Sequence, residues 1–174
     1  MFLANTWEDY EVLDTGDGEK LERWGNVILR RPDPQTIWPK ANPELWRKAQ
    51  AHYHRSEKGG GEWEFLTRLP ERWTIRHQGL EFYVRPTSFK HTGLFPEQAA
   101  NWDFIRDKVA SAGRPVRVLN LFAYSGGATL AAAAGGAEVM LAERAVQALV
   151  AGAEQVLLIV GERRGICGEV MLLD

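Results

Sequence analysis

The sequence predicts an α/β fold: part of a parallel sheet with helical crossovers, preceded by a small α+β region. Three observations carry this. After residue 103 the chain turns to Ala, Gly, Val and Leu, and short apolar runs alternate with helical patterns, the rhythm of strand–helix–strand units. All seven tryptophans and seven of the eight prolines lie before that point. At roughly 100–200 residues per domain, 174 residues leave room for one domain, or one with part of another. The expected division is a Trp-rich region over 1–86 and an α/β region over 87–174.

In the first region Tyr10–Asp14 and Asn26–Arg30 are strand candidates separated by the turn-rich Thr15-Gly16-Asp17-Gly18. Arg31-Pro32-Asp33-Pro34 stops the second. Pro43–Tyr53 reads as a helix, with Asn42 at its N-cap and Pro43 in its first position. Glycines 59–61 form a flexible stop. Thr74–His77 and Leu80–Arg85, joined by Gln78-Gly79, are the clearest hairpin.

In the second region Phe95-Pro96-Glu97-Gln98 opens a helix whose Ala99, Trp102, Ile105 and Val109 share a side, and Gly113 ends it. Val116–Phe122 is a buried-strand candidate. Ala128–Ala134 follows as helix, Ala137–Ala142 as strand, Arg144–Ala151 as helix and Gln155–Val160 as strand. Three strands of an open sheet leave an unpaired edge, which predicts self-association.

Composition narrows the function. A net charge of −2 excludes nucleic-acid binding by bulk charge and leaves room for a local basic patch. One cysteine, Cys167, excludes an intramolecular disulfide framework and a multi-cysteine zinc site. Met1–Tyr10 has no basic start or long apolar stretch, and no apolar run reaches the ~20 residues of a membrane span. The expectation is a cytoplasmic protein with no membrane partner.

The most informative stretch is Val116–Val139, where a strand runs through Ala123-Tyr124-Ser125-Gly126-Gly127 into a helix. Glycines there let backbone approach a ligand, and a helix start offers free N–H groups. Glu143, seventeen residues after Gly126, falls where an acid can accept hydrogen bonds from both ribose hydroxyls. The spaced glycines of a dinucleotide loop are absent, so a nucleoside cofactor without phosphates fits better, S-adenosylmethionine being the common one. A tight structural turn with no ligand is the alternative.

Phe89-Lys90-His91-Thr92-Gly93-Leu94-Phe95-Pro96-Glu97-Gln98, followed by VLNLFAYSGGAT, resembles the class I S-adenosylmethionine-dependent methyltransferases of the large-subunit ribosomal RNA type. Tyr53–Phe65 also looks like a branch of that family with a short N-terminal domain. The resemblance runs from about Asp9 to Val139. It implies a partial Rossmann-like methyltransferase sheet behind a small α+β N-terminal region, and S-adenosyl-L-methionine as cofactor. By the same resemblance Thr92, Gly93, Phe95 and Gln98 line one side of the cofactor site. Phe122, Ala123, Tyr124, Ser125, Gly126 and Gly127 form the other, and Glu143 holds the ribose. Lys90 and His91 are the substrate-side candidates, and ribosomal RNA is the implied partner. No catalytic residue is identified.

Beyond Val139 the family pattern stops, and the Asp-Pro-Pro loop expected to face the target base is absent. The expectation is a truncated product whose residues 140–174 are out of frame. A non-catalytic cofactor- or RNA-binding remnant is the competing reading.

The remaining candidates are weaker. His52-x-His54 could bind one ion on a strand, but without a third ligand of defined spacing a surface role is favoured and no metal is expected. His91 could line the ligand or pack. Cys167, flanked by Gly165-Ile166 and Gly168, has no activating context for a cytosine-attacking nucleophile. Arg30-Arg31, Arg47-Lys48, Arg55 and Lys58 with Trp38, Trp46 and Trp63 could contact RNA. A tryptophan core with a charged rim is slightly preferred, because acids nearly balance bases here.

Overall fold

The computed structural model describes residues 3–56, 59–88, 90–120 and 123–141. The chain divides into two units: one spans Thr6–Leu94, and the other begins at Phe95 and takes in the residues before Thr6.

The first unit is built on a five-stranded sheet in the order β1 (Tyr10–Gly16), β2 (Glu19–Trp24), β3 (Val27–Pro32), β4 (Ala51–Arg55) and β5 (Gly61–Phe65). Neighbours are antiparallel except β3 and β4. The expected strands at Tyr10 and Asn26 are present, but Thr15–Gly18 does not connect them. Asp17 (φ +52°) and Gly18 (φ +76°) instead turn β1 back into β2. β2 reads Glu-Lys-Leu-Glu-Arg-Trp and resembles a polar loop because an acid, Glu22, faces inward.

That inward acid is satisfied. Arg31 donates to both Glu22 oxygens, at 2.6 and 2.8 Å, and the Tyr10 hydroxyl donates at 2.7 Å. Burial opposes ionisation, but Arg31, Lys20 and Tyr10 outweigh it and hold the Glu22 carboxyl below its ordinary value. Leu21 sits on the opposite sheet face, in a cluster with Trp46 and Ala49. Trp24, Leu29 and Ala51 are fully buried. At about 1.5–3 kcal/mol for each large apolar side chain removed from water, both faces of the sheet are held by packing.

The expected helix over Pro43–Tyr53 is corrected. Only α1 (Pro43–Trp46) is helical, and Ala51 onward is strand β4. Gln50 decides the outcome: its side-chain oxygen accepts from Ile28 N at 2.9 Å, and its own amide donates to Ile28 O at 2.8 Å. Leu66 N donates to the Gln50 carbonyl, so sheet pairing overrides helix propensity at this point. The Asn42 side chain does not cap α1. Asp14 instead braces the helix from outside, accepting from Trp46 Nε1 at 2.8 Å and Asn42 N at 3.0 Å. Glycine 61, expected as part of a flexible stop, begins β5.

The hairpin of β6 (Trp73–His77) and β7 (Leu80–Val84) matches the sequence, with Gln78 and Gly79 both at positive φ in a two-residue turn.

The second unit has a 3-10 turn at Pro96–Gln98, then α2 (Ala99–Ala110), β8 (Arg117–Asn120), α3 (Gly127–Ala134) and β9 (Glu138–Leu141). β8 and β9 pair in parallel, so α3 is the crossover that the alternating pattern predicts. Ala99 and Trp102 on α2 are buried, as their spacing requires. The expected helix at Arg144 and strand at Gln155 lie outside the described residues. Among the described residues, no helix is long and apolar enough to cross a membrane.

Candidate cofactor site

The sequence-named residues fall in two groups, each positioned by its own unit. In the first unit, Lys90–Gly93 follows the β6–β7 hairpin and is held through its backbone. Arg31 Nη1 donates to the Lys90 carbonyl at 2.9 Å. Thr87 donates to the His91 carbonyl from both its amide (3.2 Å) and its hydroxyl (2.9 Å). Arg85 N donates to the Thr92 carbonyl at 3.1 Å. Lys90 is exposed, His91 half-buried, and Thr92 and Gly93 are buried. The Thr92 hydroxyl makes no hydrogen bond among the described residues although Thr92 is fully buried. An orphaned hydroxyl of this kind costs free energy.

The second unit carries the strand–turn–helix. Gly126 N donates to Ala123 O at 2.8 Å, closing the turn that links β8 to α3. Tyr124 sits at φ +50°, a left-handed conformation that costs a non-glycine residue about 1–2 kcal/mol. This places its ring, 48% exposed, against Phe95, with centroids 4.7 Å apart and planes at 33°. Ser125 is buried. Gly126, at φ +83°, is the N-cap residue of α3, and among the described residues no side-chain hydrogen bond caps the helix. The first-turn amides of a helix have no partners within it, and a ligand is one way to satisfy them. Asn120 Nδ2 donates to Thr129 Oγ1 at 3.0 Å, tying the end of β8 to the first turns of α3. Gln98 is exposed and accepts from Asn101 Nδ2. A depression of about 360 Å³ runs along α2, lined by Leu3, Ala100 and Asp107 among others, and includes none of these turn residues.

Gly127 has a structural reason for being glycine. A Cβ there would collide with the Trp102 indole, and one at Gly135 would lie 2.7 Å from the Arg106 carbonyl oxygen. Both glycines let α3 lie close on α2. The sequence motif shows the glycines but not these partners. Phe122 and Glu143 lie outside the described residues, as does Cys167.

The structure separates the remaining candidates. Arg31 is buried with Glu22, Arg30 makes a bidentate pair with Glu19, and Trp46 is in the core. Trp38 is half-exposed, and Trp63 donates to the Thr87 carbonyl. The two arginines and Trp46 therefore serve the core and rim rather than a free RNA face. The His-x-His pair, for which the sequence offered no third ligand, meets Glu64 from β5. Sequence reasoning missed Glu64 because it missed that strand.

The α3 start and the aromatic pair beside its turn, both in the second unit, fit a nucleoside-bearing cofactor. A family model described as S-adenosylmethionine-dependent methyltransferase matches residues 37–160. The chain belongs to this methyltransferase family. The match continues to residue 160, past Val139, where the sequence leads one to expect the family pattern to stop. The SAM-dependent methyltransferase of Agrobacterium tumefaciens is 37% identical with a TM-score of 0.75, covering 89% of this chain and 52% of that one. The ribosomal RNA large subunit methyltransferase K/L of Alteromonas mediterranea is 32% identical over 132 residues. Its counterpart from Allochromatium vinosum is 36% identical over 141 residues. The alignments cover 75% and 72% of this chain but 17% and 18% of those relatives, so the chain spans under a fifth of their length.

Proposed function

We propose that this chain binds S-adenosylmethionine and takes part in methyl transfer to a base of ribosomal RNA in the cytoplasm. The observation that carries this is the β8–α3 turn: a helix start beside exposed Tyr124 and half-buried Phe95, within a parallel strand–helix–strand unit. In this reading Phe122–Gly127 and Phe95 surround the cofactor, with Thr92, Gly93 and Gln98 contributing and Glu143 accepting from the ribose. The cofactor supplies an electrophilic methyl on a sulfonium. The chain's own task is to position it, which is where most of the gain in such a displacement lies. Lys90, exposed and held by its backbone, and His91 are assigned to the RNA. Residues 1–86 are assigned to a supporting domain and 87–174 to the cofactor domain. The names of the K/L relatives support RNA as the substrate class. Self-association through the open strand edge of the second unit completes the proposal and is read by sedimentation.

Calorimetry of the full chain with S-adenosylmethionine tests the site, and transfer of a tritiated methyl to ribosomal RNA tests turnover. Saturable binding that Tyr124→Ala weakens, together with transfer, is the expected result. Binding without transfer leaves a cofactor-binding remnant. Absence of both refutes the reading.

A further inference from the structure

We propose that His52, His54 and Glu64 form a binding site for a divalent transition cation of the zinc class on the β4–β5 ribbon, independent of the methyltransferase reading. His52 and His54 are two apart on β4 and therefore project from one sheet face. Glu64 stands directly opposite His52 in the antiparallel register. One donor atom from each of the three lies within 4.8 Å of the others. The imidazole rings are 3.9 Å apart, and His54 Nε2 lies 2.7 Å from Glu64 Oε2. Metal–nitrogen and metal–oxygen bonds of about 2.0–2.2 Å put tetrahedral donors about 3.3–3.6 Å apart, so the His54–Glu64 pair opens and wider pairs close by small side-chain rotations.

The donor set selects the ion. Two imidazoles and one carboxylate suit zinc and its neighbours; calcium and magnesium prefer oxygen ligands throughout. Three protein ligands leave a fourth position for water. The site is graded in exposure: the His52 side chain is 13% exposed, His54 48% and Glu64 54%. Access from solvent is therefore open while one ligand is anchored.

That anchor has the arrangement seen behind metal-binding histidines. His52 Nε2 lies 2.9 Å from Glu19 Oε1. A carboxylate only accepts, so Nε2 carries the proton and Nδ1 keeps the lone pair of the neutral ring. A carboxylate in this position fixes tautomer and orientation. Glu19 is itself held by Arg30 at 2.6 and 2.7 Å and by Lys40 at 2.8 Å, so its own charge is already matched. A bound ion would join β5, which ends the sheet, to β4 through side chains as well as through the ladder.

The test uses the full chain, stripped with chelator and titrated with zinc chloride by calorimetry, and with cobalt chloride by visible absorption. The expected result is one equivalent bound, a tetrahedral cobalt spectrum and a rise in Tm with zinc. His54→Asn and Glu64→Gln, both at half-exposed side chains, should each weaken binding more than about ten-fold and abolish the Tm rise. Circular dichroism of the metal-free variants checks that the sheet is intact. No saturable binding overturns the proposal. Undiminished binding in both variants also overturns it, since the ion would then sit elsewhere, for example at His77 or His91.

Discussion

Gly127→Ala separates two reasons for a glycine in the cofactor-loop motif: room for a ligand, or room for the neighbouring helix. The added Cβ would lie 2.5 Å from Trp102 Cε2 and 3.0 Å from its Nε1. Carbon atoms in good contact sit about 3.5–4.0 Å apart, so ring or helix must retreat by about 1 Å. Trp102 is only 5% exposed and has little room to move. Overpacking of this kind costs about 1–3 kcal/mol, and the opposing helix-propensity gain is small at the first helical position. The assay is urea unfolding without ligand, followed by fluorescence and far-UV dichroism, in a cycle with Trp102→Leu. With the indole gone, the cost of Gly127→Ala should fall to near zero, a coupling of about 1–3 kcal/mol. A neutral Gly127→Ala, or an equal cost in both backgrounds, would refute the packing argument.

Four other outcomes follow from the same geometry. Glu19 has its carboxyl lowered to about 2: burial raises it, but Arg30 and Lys40 prevail; Glu22 is lowered in the same sense. Both lose protons more readily folded than unfolded, so their stabilisation is complete above about pH 4.5 and is lost as pH falls from there towards 2. Glu19→Gln should flatten the plot of Tm against pH in that window, and an unchanged slope would assign acid unfolding to other groups. Glu22→Gln removes the partner of a buried guanidinium and should cost about 3–5 kcal/mol by chemical denaturation; under 1 kcal/mol would mean that Arg31 finds another acceptor. Asp14→Ala strands Trp46 Nε1 and the start of α1, a loss of about 1–3 kcal/mol that Asp14→Asn should partly restore. Thr129→Val removes the acceptor for Asn120 Nδ2 and should lower stability by about 1 kcal/mol, read as a shift in denaturation midpoint at constant slope.

What the sequence revealed depended on whether the deciding contacts were local. The β6–β7 hairpin was legible because alternation and a Gln-Gly turn are short-range properties. So were α2 and the β8–α3–β9 unit, where helical spacing and glycine punctuation carry the pattern. β2 was not, because a strand with an inward glutamate reads as polar until its arginine, nine residues on, is known. β4 was hidden inside a helical pattern that the Gln50 pairing with Ile28 and Leu66 overrides. In the candidate site, the motif named the turn from Ala123 to Gly127. It could not show that Tyr124 meets Phe95, or that Gly127 lies under Trp102. The third donor beside the histidines was invisible for the same reason: register across β4–β5 is a tertiary fact.

The backbone ties of Lys90–Gly93 bear on how this protein can be cut and recombined. Arg31, Thr87 and Arg85 hold this segment by its carbonyls, and Trp63 in turn holds the Thr87 carbonyl at 2.9 Å. A fragment begun just after the β6–β7 hairpin would carry the Thr-Gly letters of the motif with Arg85 and Thr87, but without Arg31 and Trp63. In chimaeras, donor sequence for these four residues must therefore come with its own β3 and β5. Otherwise the graft keeps the motif as text and loses it as structure.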